Sequence, residues 1–102
     1  MKIEMNANEM VVKAGDGNQL LNGSSIKGKL ILTTQRLYFK ASENGQNHED
    51  VEIWPKDIKE VMFFKNRVLF SNGLNVVTNN GNENKFLIKD RNSWSEMIVR
   101  MC

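Results

Sequence analysis

The sequence predicts a mainly β domain closed by one C-terminal helix, and three observations predict it. Apolar and polar residues alternate in short runs. Those runs end in clusters of Asn, Gly and Ser, with Asn44-Gly45, Asn72-Gly73 and Asn80-Gly81 as turn dipeptides. At the C-terminal end the period lengthens from that of a strand to that of a helix. A chain of 102 residues has room for one core and buries about 60 to 65% of the surface its unfolded form exposes. We therefore read residues 1–8 as an N-terminal extension and 9–102 as a single domain.

The strands follow in order. Met10 to Ala14 is the first. Gly28 to Lys40 reads as a hairpin hinged on Thr33-Thr34-Gln35-Arg36, with Leu30 and Leu32, then Leu37 and Phe39, on the dry side. Pairing Leu32 with Leu37 sets Leu30 against Phe39, Ile31 against Tyr38 and Lys29 against Lys40. Like charges directly across a ladder repel, so the two lysines either splay into water or hold a small anion. Val51 and Ile53 mark a fourth strand, which Pro55 ends because proline cannot donate to a ladder. Residues 56–58 make a corner. Val61 and Phe63, Leu74 and Val76, then Phe86 and Ile88 give three more strands.

In Ser93-Trp94-Ser95-Glu96 the spacing of Ser93 and Glu96 predicts a capping box. Trp94, Met97, Ile98 and Met101 then share one helical face. So short a helix does not persist alone and must lay that face on the sheet. About seven short antiparallel strands and one amphipathic helix predict two sheets packed at a steep angle, open at one end and plugged at the other by Trp94.

Charge and cysteine content exclude several functions. Fourteen Lys and Arg against twelve Asp and Glu give a net charge of +2, with both signs mixed along the chain, whereas a nucleic-acid binder clusters its bases. A face bearing Lys29, Arg36, Tyr38 and Lys40 has basic flanks but a single aromatic, where stacking platforms interleave several. Nucleic acid is not the expected partner. One Cys, Cys102, cannot form an intrachain disulfide. With no signal-peptide pattern, the expected location is cytoplasmic, with a peripheral position on the inner face of the membrane as the alternative.

The hairpin carries a family resemblance. Gly28-Lys29-Leu30-Ile31-Leu32-Thr33 followed by Gln35-Arg36-Leu37-Tyr38-Phe39 resembles the G-x-L-x-L-T-x-x-R-L-x-F signature of GRAM domains, as in the short single-domain bacterial members. Val51-x-Ile53, Asp57-Ile58-x-x-Val61, Asn72-Gly73-Leu74, Lys85-Phe86 and Arg91-x-x-Trp94 follow in the family's order, so the resemblance covers roughly residues 9–101. It implies a pleckstrin-homology-like barrel and a non-enzymatic module that docks lipids or peptides; the specific role stays open.

Lipid-binding relatives of that kind hold headgroups at the open end with Lys and Arg. The loops expected there, residues 15–25, 42–48 and 79–84, contain neither, and carry Asp16, Glu43 and Glu83. Phosphoinositide binding at that place is therefore not expected. Weak binding to anionic lipid is the alternative, through Lys27, Lys29 and Lys40 with Leu20 and Leu21 as an apolar wedge. The favoured reading is docking of a protein partner, or self-assembly. Phe63 to Phe70 is denser in apolar side chains than one strand face can bury, which makes Phe64, Lys65, Arg67, Val68, Leu69 and Phe70 the candidate surface. A buried corner at a barrel edge is the competing explanation, with Lys65 and Arg67 guarding against edge pairing.

Catalytic chemistry finds little material. His48 is the single histidine, beside Glu49 and Asp50, and adjacent residues on a strand diverge too far to share a metal. Cys102 has no base beside it in the sequence, and the glycines lie in turn dipeptides without a phosphate-cradling loop. We expect no enzyme, no cofactor and no metal.

Overall fold

The computed structural model describes residues 5–21, 23–42, 50–65 and 72–102. Its strands are β1 (Val11–Leu21), β2 (Ser24–Thr33), β3 (Leu37–Ala41), β4 (Val51–Ile53), β5 (Ile58–Phe64), β6 (Gly73–Thr78) and β7 (Glu83–Ile88). A 3₁₀ turn at Pro55–Asp57 joins β4 to β5, and the helix α1 spans Arg91–Met101. All seven strands form one antiparallel sheet, ordered β4-β3-β2-β1-β7-β6-β5, that curls into a half-barrel.

The two expected sheets are the halves of this one sheet. They are continuous because β1 is long enough to pair with β2 along its whole length and with β7 over Gly17–Leu20. The hairpin register is the one its alternation demands, with Leu32 opposite Leu37, Leu30 opposite Phe39 and Lys29 opposite Lys40. Leu30, Leu32, Leu37 and Phe39 are each 1% exposed, and Phe39 meets Phe86 of the other half at 5.5 Å between ring centroids. Aromatic contact across the curl joins the halves into one core.

Two local expectations are corrected. Residues 15–21 are strand rather than loop: they pair with β2 throughout and with β7 over Gly17–Leu20, and Asp16 and Asn18 alternate with Gly15, Gly17 and the buried Gln19. A Cβ on Gly15 would sit 3.6 Å from Trp94, and one on Gly17 would meet the Leu87 carbonyl at 2.8 Å. The predicted capping box does not form. α1 begins at Arg91, after Asp90 at φ 63°, so Ser93 already lies within the first turn and Trp94 N–H donates to the Asp90 carbonyl. The tight turn out of β7 starts the helix before the serine is reached. The apolar face is as expected: Trp94 and Ile98 are buried, and Met97 and Met101 pack against the core.

Candidate functional site

The polar side of the β2–β3 hairpin is occupied by the protein's own groups. Glu9, just ahead of β1, lies over the turn with its carboxylate fully covered. Its Oε2 accepts from Thr33 Oγ1 at 2.5 Å and Arg36 Nε at 2.8 Å, while Oε1 accepts from Arg36 Nη2 at 3.1 Å. Arg36 Nη1 also donates to Glu52 of β4, and the guanidinium lies 5.1 Å from the Tyr38 ring and 5.9 Å from that of Trp54. The bonds from Arg36 outweigh burial and hold the Glu9 carboxyl at about 2. Bonding to Glu9 raises the Arg36 pKa further. Arg36, 6% exposed, is engaged within the protein rather than presented on that face.

Each facing lysine has an acid beside it, hydrogen-bonded in the case of Lys40. Lys40 Nζ donates to Asp50 Oδ2 at 2.9 Å, and that carboxylate also accepts from Tyr38 Oη at 3.0 Å and the Ala41 amide at 3.1 Å. Burial alone would raise the Asp50 pKa, but these donors hold it below the usual value. Burial is the chief cause raising that of Tyr38. Lys29 lies 3.6 Å from Asp16, opposite it on β1. Acids thus stand where a small anion between the lysines was one of the two sequence readings.

Of the candidate lipid-facing residues, Lys27 is exposed and makes no ion pair among the described residues. It opens onto a cleft of about 710 Å³ that Lys89 and Asp90 line from the other side. Leu20 and Leu21 end β1 rather than forming a loop wedge. Leu20 pairs with Ser25 and Lys85 and is half-buried; Leu21 is exposed.

The candidate partner surface is only partly within view, since Arg67, Val68, Leu69 and Phe70 lie outside the described residues, as do Glu43, His48 and Glu49. Phe64 is half-buried, with Lys85 Nζ 5.5 Å from its ring, and Lys65 is exposed. Beside them Met62 and Phe63 are each 45% exposed. Arg91 lies 4.3 Å over the Phe63 ring and donates through Nη1 to the carbonyls of Phe64 and Gly73, tying the start of α1 to the end of β5.

A second apolar surface was missed by the sequence reading. Met10, Val11 and Val12 are 68%, 53% and 47% exposed where the chain enters β1. Val12 lines a recess of about 320 Å³ with Leu32 and, from α1, Met97, Arg100 and Met101. The available signal was the run Met10-Val11-Val12 itself, whose neighbouring side chains cannot all face one core.

Among the described residues no three His, Cys, Asp or Glu side chains are grouped to hold a metal. Desolvation raises the Cys102 thiol pKa, which disfavours the reactive thiolate, and its Sγ contacts the Ile98 carbonyl at 3.4 Å. No described helix is long and apolar enough to cross a membrane.

Solved structures share this architecture. The C-terminal domain of an unknown protein from Leishmania infantum superposes with a TM-score of 0.78 at 17% identity, covering 93% of this chain and 85% of that one. The Vps36 N-terminal PH domain gives 0.73 at 15% identity, covering 96% and 82%. At such identities the likeness shows the fold. No curated protein matches the sequence. The family model described as GRAM domain matches residues 1–101, nearly the whole chain. With the hairpin signature in register and the curled sheet closed by its helix, the chain belongs to the GRAM domain family.

Proposed function

We propose that this GRAM domain is a non-enzymatic docking module for a protein partner or a second copy of itself. The observation that carries this reading is the edge strand β5. Among the described residues it pairs only with β6, and it leaves Met62 and Phe63 each 45% exposed at its end. An open strand edge beside exposed apolar side chains is a template for another chain. The competing membrane reading draws on Lys27 and the exposed Leu21; it is weakened because Lys29 and Lys40 already have carboxylate partners.

A photo-crosslinking residue at position 62, combined with light scattering of the pure protein over a concentration series, tests the proposal. The expected result is crosslinking to a protein, or an oligomer insensitive to salt, either one lost on Phe63→Asp. Association with anionic vesicles alone, fading as salt rises, would overturn it.

A further inference from the structure

We infer that the recess between the start of β1 and the last turns of α1 is a second docking groove, which takes a partner polypeptide segment presenting an apolar side chain next to a carboxylate. This rests on the reading of the domain as a protein-docking module, but it concerns a different surface from the β5 edge.

The groove is a product of local irregularity. The β1–β2 register shifts between Val11 and Lys13, so Val12 is the extra residue of a bulge and lines the recess beside Leu32. Bulges at barrel rims re-aim side chains in this way. Leu32, 1% exposed, forms the floor, and Met97 and Met101 form the wall. At about 320 Å³ the space lies near the lower end of the roughly 300–1,000 Å³ typical of ligand sites, suited to a side chain or two. Thioether side chains adapt to the shape of what enters.

Charge selects the occupant. Among the described residues Arg100 is the one charged residue lining the groove and makes no ion pair, and it is exposed. Its guanidinium can fork a carboxylate. Without it, the carbonyl end of α1 would present negative potential and repel an acid. Exposed Met10 and Val11 extend the apolar surface and would exclude water around such a contact. The concavity favours a polypeptide over a bilayer, since membrane insertion needs apolar groups that protrude.

The test is a display selection of random peptides against the wild-type domain and against Arg100→Glu, with enriched peptides measured by fluorescence polarisation. We expect wild type to enrich sequences pairing an apolar residue with Asp or Glu, Met97→Glu and Arg100→Glu each to weaken them at least tenfold, and Arg100→Glu to enrich basic peptides instead. Arg100 is exposed, so its variant keeps the test decisive if Met97→Glu fails to fold. Peptides that bind but ignore both substitutions would overturn the groove and leave the docking module standing. No enriched peptide, a groove-dependent attachment to anionic vesicles, or a wild-type dimer dissolved by Arg100→Glu would each overturn the assignment of this groove to a partner peptide.

Discussion

Thr33 and Arg36, at the two ends of the hairpin turn, meet on a single carboxylate oxygen: Glu9 Oε2 accepts from Thr33 Oγ1 at 2.5 Å and from Arg36 Nε at 2.8 Å. Thr33 Oγ1 also accepts from the Arg36 amide at 3.0 Å, so one hydroxyl closes the turn and anchors the incoming chain. The T-x-x-R of the hairpin signature is thus a clamp on the segment before β1. Arg36→Ala leaves the Glu9 carboxylate buried without its main partner, for which a loss of about 3–5 kcal/mol is expected. In a domain of this size that lowers Tm by more than about 10 °C, measurable by thermal circular dichroism. Glu9→Gln added to Arg36→Met should recover part of the loss.

The same clamp sets an acid dependence. The folded-state pKa of Glu9, about 2, is below its ordinary 4.5, so its contribution is fully present above pH 4.5 and is lost as pH falls toward 2. Asp50, also lowered, acts in the same direction. Urea unfolding between pH 6 and 2.5 should show stability falling with acid, and Glu9→Gln should flatten that slope. An unchanged slope would mean that the clamp is not formed in solution.

Gly28, the first residue of the signature, makes way for the last. A Cβ there would fall on the Lys40 carbonyl and on the Phe39 ring, whereas one on Gly15 would find Trp94 at 3.6 Å and Ile88 at 3.7 Å. Gly28→Ala is therefore expected to cost about 1–3 kcal/mol through overpacking. Gly15→Ala should be within about 1 kcal/mol of wild type, with either sign. Denaturant midpoints of the two variants check the contrast.

Trp94 is 1% exposed, with Lys13 Nζ 5.5 Å from its ring. Trp94→Ala should cost about 3–5 kcal/mol and loosen α1 from the sheet. Amide exchange in α1 would then rise more than in the β2–β3 hairpin, whose backbone pairing does not depend on the indole.

The acids beside the lysines can be removed. Asp16→Asn with Asp50→Asn frees Lys29 and Lys40, adding up to about 1 kcal/mol of anionic-vesicle attraction per lysine. Co-sedimentation should rise over wild type at low salt and return to baseline at high salt. Equal binding by both proteins would show that these ion pairs do not mask the face.

The sequence alone determined the elements whose signal is local. Alternation fixes a strand face within a few residues, which is why Leu30, Leu32, Leu37 and Phe39 were placed correctly and the Lys29–Lys40 pairing was foreseen. The helical stripe of Trp94, Met97, Ile98 and Met101 was legible for the same reason. What only the tertiary structure decided depends on residues far apart in the chain. Glu9 reaches Arg36, Asp50 reaches Lys40 and Asp16 reaches Lys29, turning an apparently cationic face into a set of internal pairs. Gly15 and Gly17, which read as loop residues, are strand because β2 pairs with both and β7 with Gly17, and the Leu87 carbonyl and Ile88 leave no room for a side chain at Gly17. A strand pattern records which side of a residue is dry; which distant group lies there is set by the curl of the sheet, and that curl leaves no local trace in the alternation.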